Sequence, residues 1–249
     1  MARPPLDPRT LRGAETTGTH MQSGRNRATR WTTIVCCVVA SFALAVVSGA
    51  ADLEVGKELY EQCAQCHGAD GGGRSFYLAP SIAGMDEWYV TSQLENFKAG
   101  TRGLHADDKG GLRMYPMARS LTSDYGGTDA EKIEAVSAYI ASLPEVFPAP
   151  EVTGGDAVKG AALYATCQQC HGAAGEGKQL LNAPRLAGTS DWYLVTELQE
   201  YKQGIRGSNP LNGPAVLMRG MSNMLANDQA IRDVVAHIVT LKPATQNGN

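Results

Sequence analysis

Apolar residues recur at three- and four-residue spacing in six stretches, which predicts helices at about 54–66, 86–99, 129–142, 156–170, 190–203 and 227–241. The second and fifth have Asp86 or Asp191 near their start and stop at Gly100 or Gly204, while the third and sixth begin at Asp129 and Asn227. Gly- and Pro-rich loops lie between them, and no stretch alternates apolar and polar residues long enough to make a sheet. One further apolar run, Ile34 to Val47, is continuous rather than periodic, and Arg25, Arg27 and Arg30 stand directly before it.

The helical stretches are two copies of one pattern. A shift of 104 residues superimposes the halves over about sixty positions. Gly56, Leu59 and Tyr60 fall on Gly160, Leu163 and Tyr164, and Trp88-Tyr89 falls on Trp192-Tyr193. Lys98, Gly100, Arg102 and Gly103 recur as Lys202, Gly204, Arg206 and Gly207. Beyond Leu121 and Leu225 the register slips by six, then resumes with Val136, Ala138, Ile140 and Leu143 on Val234, Ala236, Ile238 and Leu241. The expected organisation is an export signal over 1–50, an all-α domain over 51–146, a Pro-rich, semi-rigid linker over 147–155 and a second all-α domain over 156–249.

The signal assignment follows from six arginines against two acids in residues 1–50 and an apolar run of 14 residues, which is short for a membrane span of roughly 20. Ser48-Gly49-Ala50 offers small residues for cleavage, with translation expected to start at Met21; an uncleaved N-terminal anchor is the alternative. Cys36 and Cys37 lie inside this run and are expected to be plain small hydrophobes. The chain has no Lys/Arg run after residue 30 and a net charge of −3, which gives no support to nucleic-acid binding.

Four cysteines remain, in two Cys-x-x-Cys-His motifs: Cys63, Cys66, His67 and Cys167, Cys170, His171. Two thiols one helical turn apart reach the same side of a porphyrin, and the next His can turn its ring onto the iron, so the pattern predicts two covalently bound haem c groups. A pair of dithiol oxidoreductase sites would leave the histidines unexplained and lacks a βαβ context. A four-cysteine zinc site would need its two pairs far closer than 100 residues.

The second axial ligand largely decides what such an iron does. The candidates in both halves are methionines, Met114 and Met117 against Met218 and Met221. Both intervals, His67 to Met114 and His171 to Met218, span 47 residues, enough chain to return on the far face of the group. Pro116 or Gly220 is expected to interrupt the backbone after the first Met, with the second beginning a helical run. Met114 and Met218 are the expected ligands, with Met117 and Met221 as alternatives; His105 and His237 are expected to serve surface or packing roles.

These features resemble the dihaem class I cytochromes c of the cytochrome c4 type over nearly all of residues 52–243. The resemblance implies tandem class I cytochrome c domains, each a small helical fold built around its haem. It also implies that Pro80 and Pro184, each 13 residues after its His, accept the imidazole N–H through their main-chain carbonyls. Met218-Arg-Gly is close to the family's ligand sequence, whereas Met114-Tyr-Pro departs from it.

With His and Met on each iron no position is free for substrate, so the chain is expected to be a carrier of single electrons and not an enzyme. The expected place is the periplasm, with a quinol-oxidising complex or dehydrogenase as donor, a terminal oxidase or reductase as acceptor, and peripheral membrane association if the N-terminal segment is retained. The alternatives are a cytochrome subunit of a larger dehydrogenase or oxidase and, at greater remove, a dihaem peroxidase. Charge separates the halves: residues 51–150 hold 8 Lys/Arg and 15 Asp/Glu, residues 151–249 hold 8 of each. The first half is therefore expected to favour a basic partner.

Overall fold

A computed structural model describes residues 53–121 and 127–242. The expected signal segment, the Met21 start and Cys36 and Cys37 lie outside the described residues. Those residues form eight α-helices: α1 over 53–67, α2 Glu87–Ala99, α3 Lys109–Ser120 and α4 Asp129–Ser142 in a first lobe, then α5 Ala157–His171, α6 Asp191–Gln203, α7 Gly213–Ser222 and α8 Asp228–Ile238 in a second. The only extended pairings among them are the single bridges Arg74 with Ala79 and Lys178 with Ala183.

Local chemistry accounts for most helix ends. Thr128 and Glu131 form a reciprocal capping box at α4, and Asp156 and Asn227 accept main-chain N–H groups at the starts of α5 and α8. Both α2 and α6 end on a glycine in the left-handed region, Gly100 at φ 71° and Gly204 at φ 73°, where a side chain would be strained. In the first lobe Leu59, Leu94, Ile133, Val136 and Ile140 make the core; Tyr164, Leu194, Ile231, Val234 and Ile238 make that of the second.

The terminal helices of each lobe cross where a glycine removes the side chain. Gly160 in α5 lies against the main chain of Asp233 in α8, and Gly56 in α1 against that of Ala135 in α4. Aromatic pairs close the same crossings, Tyr60 with Tyr139 and Tyr164 with His237, both at 5.3 Å between ring centroids. His237 is thus a packing residue, and the His105 side chain is exposed, as the sequence suggested for both.

Two helices depart from the expected pattern. Three were expected per lobe, yet α3 and α7 are helices too, and Pro116 sits inside α3 rather than breaking it. Gly110-Gly111, Pro116 and Gly220 all lower helix propensity, whereas Pro214 lies in the first turn of α7, where proline is tolerated. The folded lobe overrides this with the caps of Asp108 on Gly111 N–H (2.6 Å) and Asn212 on Ala215 N–H (3.3 Å), and by burying Ala118 and Ala215.

The segment between α4 and α5 is tied to the second lobe rather than hanging free. Asp191 accepts the main-chain N–H of Glu151 (2.8 Å) and Val152 (2.7 Å), and Glu145 pairs with Arg185. No helix among the described residues is long and apolar enough to cross a membrane.

Candidate functional site

The last turn of α1 carries Cys63, Cys66 and His67. His67 is buried, and its Nδ1 lies 2.8 Å from the Pro80 carbonyl. A carbonyl can only accept, so Nδ1 donates and Nε2 is left with its lone pair. Burial lowers the imidazole pKa, which favours the neutral ring that a metal needs. Gly73, at φ 84°, lies against the Pro80–Ser81 main chain, where a Cβ would collide, and its N–H donates to the His67 carbonyl at 2.8 Å.

The second lobe repeats this geometry from the last turn of α5. His171 Nδ1 lies 2.8 Å from the Pro184 carbonyl, Gly177 takes the place of Gly73, and burial again keeps the ring neutral. Tyr60 and Tyr164 brace the two turns by donating to the Gly68 and Gly172 carbonyls at 2.7 and 2.8 Å.

Each His opens onto a cavity with apolar walls. The first, about 470 Å³, is lined by Cys63, Cys66, His67, Met114 and Met117 together with core residues such as Leu94. The second, about 140 Å³, takes Cys167, His171 and Met218 from the expected set; Cys170 and Met221 do not line it. Met114 is half-buried against the core, whereas Met117 is exposed. The residues present fit a haem: in each lobe a buried imidazole with a free lone pair and a thioether sulfur converge on one apolar space, joined there by Cys63 and Cys66 in the first lobe and by Cys167 in the second, with Cys170 on the same helical turn. They do not suit a dithiol oxidoreductase, because burial pushes the Cys63 thiol up to about 11, far from a reactive thiolate.

The lobes meet along α2 and α6 through a buried polar seam. Arg102 donates to Glu197 (2.6 Å), Gln93 (2.7 Å) and Tyr193 (2.9 Å), while Arg206 bonds Gln93 (3.0 Å) and pairs closely with the same Glu197. Burial and the neighbouring Arg102 push the Arg206 guanidinium down. Each cavity is closed by the other lobe, the first by Trp192, Thr196 and Glu200 and the second by Trp88, Ser92 and Gln93. Sequence reasoning saw Arg102 and Arg206 only as repeated letters and missed Gln93 and Glu197. Their signal was a mismatch at equivalent positions of the repeat, which a search for identities passes over.

The cytochrome c family model matches this chain twice, over residues 53–144 and 157–242. The chain therefore belongs to the cytochrome c family, as a tandem pair of its domains. It is 31% identical over 212 residues to the thiosulfate dehydrogenase electron acceptor of Stutzerimonas stutzeri strain A1501, covering 80% of this chain and 92% of that protein. With cytochrome c4 of Stutzerimonas stutzeri it shares 31% identity over 183 residues, 72% of this chain and 84% of the relative. Among solved structures, reduced cytochrome c4 from Pseudomonas stutzeri superposes with a TM-score of 0.58 at 26% identity, covering 76% of this chain and 98% of that one. Thiosulfate dehydrogenase from Marichromatium purpuratum superposes with a TM-score of 0.62 at 31% identity over 78% of this chain, but the match spans 41% of that protein. The chain is a dihaem c-type cytochrome that carries two covalently bound haem c groups and moves single electrons between redox partners.

Proposed function

We propose that this chain is a periplasmic shuttle that takes single electrons from a dehydrogenase or quinol-oxidising complex and delivers them to a terminal oxidase or reductase. The thiosulfate dehydrogenase electron acceptors among its relatives favour a sulfur-compound dehydrogenase as donor. When bound, each haem iron alternates between ferric and ferrous forms and so takes up and releases one electron. Cys63 and Cys66, and Cys167 and Cys170, hold the two groups through thioether bonds. His67 with Met114, and His171 with Met218, would ligate the two irons. Pro80 and Pro184 fix the imidazole rings through their carbonyls.

One observation carries this assignment: in each lobe a buried His, its lone pair free, faces the same cavity as the first Met of the Met-x-x-Met pair. Two protein ligands on each iron would leave no site for substrate, which supports a carrier rather than an enzyme. The match to 41% of a larger thiosulfate dehydrogenase favours one second reading, a cytochrome unit working in lasting association with a dehydrogenase.

A redox titration followed by optical spectroscopy tests the proposal. Two one-electron steps with the sulfur-to-iron band at both haems are expected, and prompt carbon monoxide binding to the reduced protein would overturn it. Met114→Ala should remove that band at one haem, and Met117→Ala should leave it; the reverse result reassigns the ligand. Rapid reduction by a thiosulfate dehydrogenase supplied with thiosulfate, with the chain running as a separate species in gel filtration, separates the shuttle from the lasting complex.

A further inference from the structure

A peptide unit is planar, so the carbonyl of one residue and the N–H of the next move together. The Pro80–Ser81 unit is engaged at both ends. Its carbonyl accepts from His67 Nδ1 at 2.8 Å, and its N–H donates at 2.9 Å to Ser190 Oγ, which belongs to the other lobe. The rest of this loop is satisfied at home: Ala79 N–H bonds the Arg74 carbonyl (3.2 Å), and Ile82 and Ala83 bond that of Gly71 (2.8 and 3.1 Å). Proline has no N–H to give. Within 79–83, Ser81 alone reaches across the seam.

The second lobe repeats the arrangement in mirror sense. Ala183 bonds the Lys178 carbonyl (3.2 Å), and Leu186 and Ala187 bond that of Gly175 (2.8 and 3.1 Å). The remaining N–H is that of Arg185, and beside this residue sits Asp86 of the first lobe, whose carboxyl pKa is raised by burial and lowered by the Arg185 guanidinium and main-chain N–H. Pro184, in the same peptide unit, holds His171.

Ser190 and Asp86 are the N-cap residues of α6 and α2. A Ser or Asp there ordinarily accepts an N–H from the first turn of its own helix. Asp108, Thr128, Asp156, Asn212 and Asn227 all do so, whereas neither Ser190 nor Asp86 makes a side-chain cap bond. Two helices forgo their usual cap; Ser190 bonds the loop that holds His67, and Asp86 lies beside Arg185 in the loop that holds His171.

We propose that Ser190 and Asp86 are positioning residues, each setting from across the seam the hydrogen bond that orients the other lobe's histidine, so that the two lobes tune one another's haem through a single peptide unit. The proposal rests on His67 and His171 being axial ligands. An acceptor on the N–H polarises the peptide and makes its carbonyl the stronger acceptor. An imidazole that donates to a stronger acceptor is the more basic ligand and favours the ferric state, which lowers the potential.

The test uses the haem-loaded full chain with Ser190→Ala, Ser190→Thr and Asp86→Ala. Each haem's midpoint is read by spectroelectrochemistry, with haems assigned to lobes by nuclear Overhauser contacts to Cys63 or Cys167. Ser190→Ala should raise the midpoint of the first-lobe haem and leave the second unchanged, Thr should restore it, and Asp86→Ala should raise that of the second-lobe haem. A shift confined to the lobe that carries the substitution, or none, overturns the proposal. So do equal shifts of both haems, which signal a general loosening of the seam. The wild-type hyperfine-shifted spectrum reports the axial ligands independently. If it lacks an axial His at either haem, the ligand assignment falls and this proposal with it; if both His ligate and no cross-lobe shift follows, only this proposal falls.

Discussion

Adding a methyl group at Gly160 tests the helix crossing that supports the second lobe. Glycine to alanine inside a helix ordinarily gains about 1 kcal/mol. At Gly160 the new Cβ would fall on the Asp233 carbonyl and 2.9 Å from His237 Cβ, both in α8. Main-chain atoms cannot be moved by a rotamer change, so α5 and α8 must part. Overpacking of that kind costs about 1–3 kcal/mol or more, to which lost contacts along the crossing add. The steric cost wins, and Gly160→Ala should be less stable by about 1–2 kcal/mol. Gly220, inside α7, is the control, because nothing lies within 4 Å of its Cβ position and the propensity gain stands alone. Gly220→Ala should gain about 0.5–1 kcal/mol. For a domain of this size 1 kcal/mol corresponds to about 4–8 °C in Tm, so calorimetry of the haem-loaded protein should resolve shifts of opposite sign in the second-lobe transition. Gly160→Ala melting at or above the wild-type temperature, or Gly220→Ala proving the more damaging, would refute the steric argument.

Glu197→Ala removes the carboxylate that both Arg102 and Arg206 engage, and breaking a buried pair costs about 3–5 kcal/mol. Because each lobe keeps its own core, the lobes should come apart rather than unfold, seen as a larger radius in solution scattering; an unchanged radius and melting profile would count against the seam. Burial and the facing Asp108 carboxylate push Glu200 from 4.5 up to about 7. Its folded pKa lies above the unfolded one, so its contribution is fully present below about 4.5 and is lost as pH rises to about 7. Glu200→Gln should flatten that decline and gain most over wild type near pH 8, and parallel stability curves for the two proteins would sink the assignment. On the outer face of α1, Glu54, Glu58 and Glu61 are exposed where the second lobe has Val158, Ala162 and Ala165. Electron transfer with a basic protein should therefore slow several-fold as salt rises from about 0.01 to 0.15 M, and Glu58→Gln with Glu61→Gln should weaken that dependence. A rate indifferent to salt would exclude steering by this lobe.

Much of the site was legible because the chemistry that attaches and orients the cofactor is local in the chain. Cys63, Cys66 and His67 occupy one helical turn, and the Pro80 carbonyl reached by His67 is only 13 residues on. The helices with strong apolar periodicity or clear stops, such as α2 ending at Gly100, were equally readable. Helices α3 and α7 were not, since Gly110-Gly111 and Pro116 argue locally against a helix and only the Asp108 cap and the burial of Ala118 reverse the balance. The same gap affects the methionines: the interval of 47 residues pointed to Met114 and Met218, but only the folded lobes showed Met117 exposed and Met221 away from the cavity.

The sequence by itself determined the doubled domain, the attachment motifs, the all-α class and the charge difference between halves, because each is a property of neighbouring residues or of a fixed spacing. Only the tertiary structure decided how the lobes meet. Gln93 faces Arg102 and Arg206 together with Glu197, and Ser190 reaches Ser81 across 109 positions of chain. Such contacts join residues with no local signal, and they form only once two separately folded cores bring their second helices together. The repeat specified each lobe twice over, and the positions where its copies differ, Gln93 against Glu197 and Asp86 against Ser190, became meaningful when the fold set them at the seam.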